Sequence, residues 1–170
     1  MQFMHQRIHS ILLTMLLLFL VATLGFGELL HMYEKVWWWD DMLHTVAGLM
    51  LGLVGFLLVY LLNARYQMSI SPMFVAVFAF SFAISASVLW EIVEFSIDTM
   101  FASNMQRWNL PQDAILIGKN YQGSGLRDTM SDLIVAWIGA SIAAVISFFA
   151  YKYRRRASIE LMKRTFTDKT

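Results

Sequence analysis

Trp37-Trp38-Trp39-Asp40-Asp41-Met42-Leu43-His44-Thr45-Val46-Ala47-Gly48, continued by an uncharged apolar run to Asn63, decides the fold. The run is long enough, at about 1.5 Å per residue, to cross a hydrocarbon layer of about 30 Å. The three indoles at its start belong where lipid meets water. Two carboxylates and an imidazole stand at the same end. Three further stretches also lack Asp, Glu, Lys and Arg: Ile8–Gly27, Gln67–Trp90 and Leu133–Tyr151. Lipid offers no partner to a bare backbone amide, so each stretch is predicted to be a helix that closes its own hydrogen bonds. Pro72 lies near the start of the third, where a missing N–H costs little.

Composition agrees with a membrane as solvent. Apolar residues make up 58% of the 170-residue chain and charged residues 15%. A soluble domain carries about a quarter charged residues. The length suits one bundle rather than two domains. A formal charge of +1 gives no field to draw nucleic acid, so no nucleic-acid partner is expected. The absence of cysteine excludes disulfides, thiolate metal sites and cysteine catalysis. Arg7 ahead of an apolar core has the look of a secretory leader. The exit Val21–Gly27 offers only a weak cleavage pattern, so an uncleaved helix is expected.

The resulting expectation is an all-α polytopic membrane protein: a bundle of about four transmembrane helices, near 8–27, 42–63, 67–98 and 128–151. Residues 1–156 form this transmembrane domain and 157–170 a basic tail. Basic residues set the orientation. Arg7, Arg65 and the tail cations from Lys152 onward fall on one side; only Lys35, Arg107, Lys119 and Arg127 fall on the other. Both termini are therefore expected in the cytoplasm, with membrane lipid as the surrounding partner. The Lys152–Arg156 run reads as an anchor that also attracts anionic lipid.

Ten of the twelve acidic residues then fall on the outer side. Asp40 and Asp41 open the second helix, with His44 one turn inside. Glu91, Glu94 and Asp98 follow at i, i+3 and i+7, one stripe near the end of the third. Asp128 and Asp132, at i and i+4, open the fourth. Alternating directions bring these ends to one membrane surface. The stripes continue inward as small residues: Gly48, Gly52 and Gly55 below His44, Ser87 below Glu91, and Gly139 and Ala143 below Asp132. Small residues let membrane helices approach closely, which turns the acids into the bundle.

Carboxylates so crowded must be protonated or neutralised by cations. Oxygen ligands plus an imidazole suit Mg²⁺, Mn²⁺, Zn²⁺ or Fe²⁺. His44, Glu91, Glu94 and Asp132 are the candidate metal ligands. Asp40, Asp41, Asp98 and Asp128 are candidate further ligands or general bases, although N-capping accounts equally well for Asp40, Asp41 and Asp128 taken singly. Arg107 and Arg127 are candidates for holding an anionic headgroup. The glycine-rich segment Tyr121–Asp128 leads into a helix N-terminus, a geometry able to cradle phosphate, but it lacks the Gly-Lys-Ser/Thr ending of a P-loop and is more simply a loop.

Three strings in order, Trp39-Asp40-Asp41-Met42-Leu43-His44, Trp90-Glu91-Ile92-Val93-Glu94-Phe95 and Asp128-Thr129-Met130-Ser131-Asp132, resemble the YjdF-like family of bacterial inner-membrane proteins. More distantly they are similar to VanZ-like proteins, which pair an Asp-x-x-His with later acidic helix ends. The first resemblance implies a multi-pass protein of the bacterial cytoplasmic membrane and carries no established activity. The leading functional expectation is a metal-dependent enzyme acting on a lipid or lipid-linked envelope substrate. A small transporter or ion-handling protein is the second. Four spans leave it little room for alternating access, which a homodimer would supply. A non-catalytic membrane partner with a register-setting polar cluster is the third.

Overall fold

The computed structural model describes residues 2–107 and 123–167, with the backbone alone for 2–9, 12 and 155–167. Lys119, Tyr121 and Gln122 of the sequence reading lie outside the described residues. Every regular element among those described is a helix. The chain divides into two compact units, Met1–Leu43 and His44–Thr170.

In the first unit, α1 (Gln2–Leu20) runs without a break into a π-helical segment, Val21–Leu29. The Leu30 amide reaches back five residues to the Gly25 carbonyl at 3.2 Å, the wider π spacing. Gly27 lies under the Tyr33 ring so closely that a Cβ there would overlap it. His31 (φ 56°) ends the segment in the left-handed region, and the short α2 (Met32–Lys35) follows. Lys35 Nζ donates to the Leu30 carbonyl at 2.8 Å, covering an orphan acceptor at the helix end. The apolar part of this unit, Leu13–Leu29, is a helix of 17 residues.

The next helix, α3 (Trp39–Tyr66), starts in the first unit and continues as part of the second, with α4 (Pro72–Phe101) and α5 (Ser124–Thr167). Three helices among the described residues are long and apolar enough to cross a membrane: Trp39–Tyr66, Pro72–Phe101 and Ser124–Arg154. Local chemistry sets their ends. Gln67 (φ 51°) closes α3, its amide bonding the Asn63 carbonyl at 2.9 Å. Ser71 caps α4, its hydroxyl accepting the Phe74 amide at 3.1 Å, and Pro72 takes the first helical position. Ala102 (φ 53°) closes α4. No comparable stop follows Tyr151, and α5 continues past Arg156 to Thr167.

Packing inside the second unit is inverted relative to a soluble protein. Its buried seam is made of small residues: Gly48, Gly52 and Gly55 on α3, Ala79, Ala83 and Ser87 on α4, and Ala136, Ala140, Ala143 and Ser147 on α5. Large apolar side chains such as Phe74, Ile92, Phe95, Ile134, Ile142 and Val145 point outward. Outside a membrane that arrangement would strand most of the apolar area in water; inside one it lets backbones touch while bulky groups meet lipid. A Cβ on Gly48 would strike the Ala136 carbonyl, and one on Gly139 the Thr45 carbonyl and, at 2.8 Å, the Leu49 nitrogen. A Cβ on Gly55 would come within 3.0 Å of Phe82 Cβ and 3.2 Å of Ala79 Cα. The helices therefore meet backbone to backbone.

Candidate carboxylate and histidine site

The seam of small residues ends, on all three helices, at a polar group. Above Gly48 on α3 comes His44. Above Ala83 and Ser87 on α4 come Glu91, Glu94 and Asp98, all buried on the same face. Above Ala136 on α5 comes Asp132, only 2% exposed. The spacing that buries the alanines thus buries the acids: a helical stripe continued by three or four residues keeps its azimuth.

Close approach of the helices brings three of these side chains together. His44 Nδ1 lies 3.9 Å from Glu91 Oε1, and His44 Nε2 lies 3.9 Å from Asp132 Oδ2. The imidazole therefore stands between carboxylates from two other helices, one facing each ring nitrogen. At 3.9 Å these are electrostatic contacts, longer than a hydrogen bond. Acids withdrawn from water are costly and demand compensating charge or protons. The arrangement can carry a proton on the ring between two carboxylates. It can equally offer one ring nitrogen and one carboxylate to a cation, leaving the second carboxylate to orient the ring.

The remaining acids have different surroundings. Glu94 Oε1 accepts the Trp90 indole N–H at 2.7 Å, one turn back along α4. Asp98 organises the chain after α4. It accepts from the Ser103 hydroxyl at 2.6 Å, the Met105 amide at 2.8 Å and the Gln106 amide at 2.9 Å. That segment is also tied to α5, because Gln106 Nε2 donates to Thr129 Oγ1 at 2.7 Å and the Ser124 hydroxyl donates to the Arg107 carbonyl. Arg107 Nε stands 3.7 Å from Asp128 Oδ1, an ion pair across the same junction. Arg127 is exposed on the first turn of α5. Asp40 and Asp41 are half-buried in the first turn of α3, within the first unit.

Of the seven acids and one histidine singled out from sequence, the structure thus places His44, Glu91 and Asp132 against one another. It engages Glu94 with an indole, and Asp98 and Asp128 with the α4–α5 junction. Sequence reasoning missed the partners Trp90, Ser103, Gln106 and Thr129. The i, i+4 spacing of Trp90 and Glu94 could have suggested the first. Ser103 and Gln106 belong to an irregular connection that carries no periodicity, and Thr129 on α5 is engaged from that connection.

The family described as "Predicted membrane protein (DUF2238)" matches residues 2–153, and the chain belongs to it. An "Uncharacterized protein" of Thermotoga maritima is 29% identical over 122 residues, which is 72% of this chain and 54% of the relative. The chain thus spans about half the length of the curated relative it matches. No solved structure matches.

Proposed function

We propose that this member of the family is a four-span protein of the bacterial cytoplasmic membrane whose His44 centre faces the extracytoplasmic side. Leu13–Leu29 supplies the additional span and both termini are cytoplasmic. The excess of Lys and Arg at the opposite helix ends supports that orientation. The ordered motifs shared with YjdF-like proteins are consistent with the family match; the reading takes nothing from VanZ-like proteins.

The centre is proposed to bind a divalent cation, Mg²⁺, Mn²⁺, Zn²⁺ or Fe²⁺, and to act on a lipid or lipid-linked envelope substrate by hydrolysis or phosphoryl transfer. The observation that carries this reading is the imidazole held 3.9 Å from a buried carboxylate on either side. A single ion takes only one ring nitrogen. His44 Nε2 and Asp132 are assigned to hold the ion, and Glu91 to accept the Nδ1 proton and fix the ring, the usual division around a metal-bound histidine. A bound cation would supply polarisation of a phosphoryl oxygen or of water. Asp40, one turn before His44 on α3, and Glu94 are further candidate ligands, and Asp41 a candidate base. Asp98 and Asp128 are assigned to hold the α4–α5 junction, and Arg107 to hold Asp128. Arg127 remains the candidate for an anionic headgroup.

Elemental analysis of detergent-purified protein, supplemented with each metal in turn, tests the assignment. Stoichiometric metal is expected in the wild type, with loss in Asp132→Asn and about 10- to 100-fold weaker retention in Glu91→Gln. Wild-type protein that never binds stoichiometric metal would sink the reading.

One observation favours a second reading. Each ring nitrogen faces its own acid, which suits an imidazolium that passes a proton between Glu91 and Asp132. In that case the protein handles protons, and ring-nitrogen NMR of His44 would titrate identically with and without chelator.

A further inference from the structure

The end of the second unit remote from His44 carries the opposite charge. Residues 42–90 and 133–159 contain no Asp or Glu. The candidate spans finish there in cations, Arg65 in the last turn of α3 and Lys152 and Arg154 on α5. Each cation lies against an aromatic ring. Arg65 is 5.7 Å from the centre of the Tyr66 ring, Lys152 is 5.3 Å from Phe148, and Arg154 is 4.6 Å from Tyr60.

The Arg154 contact differs from the other two because it joins α5 to α3. One turn along, Asn63 Nδ2 donates to Tyr151 Oη at 3.1 Å, a second bridge between the same helices. Tyr60 and Asn63 are at i and i+3 on α3, and Tyr151 and Arg154 are at i and i+3 on α5. The four make a polar ladder that prolongs the small-residue seam to the edge of the spans. A charge that only had to anchor the helix would need no such bridge; it would work from any loop position.

A guanidinium resting on a ring face keeps its N–H donors at the edge, in a planar fork matched to phosphate oxygens. The Tyr60 contact thus fixes the fork's position while Arg154 stays exposed. The Tyr151 hydroxyl, one turn before Arg154 on the same face of α5, adds a hydrogen-bonding group. These groups stand where two membrane spans end, at the level of lipid headgroups. We propose that Arg154, Tyr60 and the Asn63–Tyr151 pair form a binding site for the phosphate of an anionic phospholipid. Charge complementarity selects that occupant: the patch is cationic, with no carboxylate in the stretches that build it. The site is independent of the His44 centre and of what that centre binds.

Full-length protein in a neutral detergent is the material for the test. Native mass spectrometry would count retained lipid after addition of phosphatidylglycerol, phosphatidylcholine or inorganic phosphate, with thermal unfolding followed in parallel. Wild-type protein is expected to retain phosphatidylglycerol over phosphatidylcholine and to gain stability from it. Selectivity should fall on the order of fivefold when the charge is removed in Arg154→Gln. Arg154→Lys, which keeps the charge but loses the fork, should lose most of the selectivity, whereas Tyr60→Phe, which keeps the ring, should retain it. Equal retention of the two lipids by the wild type overturns the site without recourse to any variant. Undiminished selectivity in Arg154→Lys reduces it to a diffuse anchor and overturns it as well. Stabilisation by inorganic phosphate alone that matches phosphatidylglycerol removes the lipid from the assignment.

Discussion

The α3–α5 contact below His44 yields a prediction that pairs a lesion with its own repair. A Cβ built on Gly52 overlaps the Cβ of Ala143, with the nearest α5 backbone atoms, the Ala140 oxygen and Ala143 Cα, at 3.8 Å. Gly52→Ala therefore forces two helices apart, and overpacking of this kind costs about 1–3 kcal/mol. Helix propensity pulls the other way, since Ala is better than Gly by about 0.8–1 kcal/mol. The net expectation is a loss of roughly 0–2 kcal/mol. Ala143→Gly alone loses the propensity and a buried methyl, roughly 1–2 kcal/mol together. Simple addition would make the double variant worse than either single one. In Gly52→Ala/Ala143→Gly, however, the methyl merely changes helices: the clash vanishes and the propensity terms cancel. The double variant should unfold within about 0.5 kcal/mol of wild type, a coupling of roughly 1–4 kcal/mol. Unfolding equilibria in mixed micelles measure all four corners of the cycle. Additive losses, with the double variant the least stable, would refute the helix approach described above. Gly48→Ala is the control, because its obstacle is the Ala136 backbone carbonyl, which no side-chain change removes.

Other expectations follow from the same contacts. Asp98→Asn replaces an oxygen that accepts from Ser103 or from backbone amides with an NH₂ group, leaving a donor facing donors. It should cost about 1–3 kcal/mol and speed amide exchange at Met105 and Gln106; unchanged exchange at both would remove Asp98 from its junction role. Arg107→Gln breaks a partly exposed ion pair with Asp128 and should cost no more than about 1 kcal/mol, read from the same unfolding assay. A larger loss would mean that Arg107 holds more than Asp128. A reporter fused after Lys152 should read as cytoplasmic, and an external reading would reverse the proposed orientation.

Much of this molecule was legible as one-dimensional pattern. Apolar length set α3, α4 and α5, because a backbone in lipid can only satisfy itself as a helix. The stripe of Glu91, Glu94 and Asp98 was readable too, as was its continuation through Ser87, since residues three and four apart share a face whatever the surroundings. So was the sorting of acids and bases to opposite helix ends. Pattern stops at the surface of each helix. It does not tell how three helices are rotated against one another, and so does not tell that Glu91 faces one ring nitrogen of His44 and Asp132 the other. The glycines at 48, 52 and 139 decide that rotation, by letting α3 and α5 touch along one line only. Tertiary structure also spends Asp98 and Asp128 on a connection without periodicity, and turns the chain from Val21 to Leu29 into a π-helix that apolar length alone does not announce. Length and charge order are properties of a sequence. Which carboxylate meets which ring nitrogen is a property of helix azimuth, and azimuth exists only once the helices have packed.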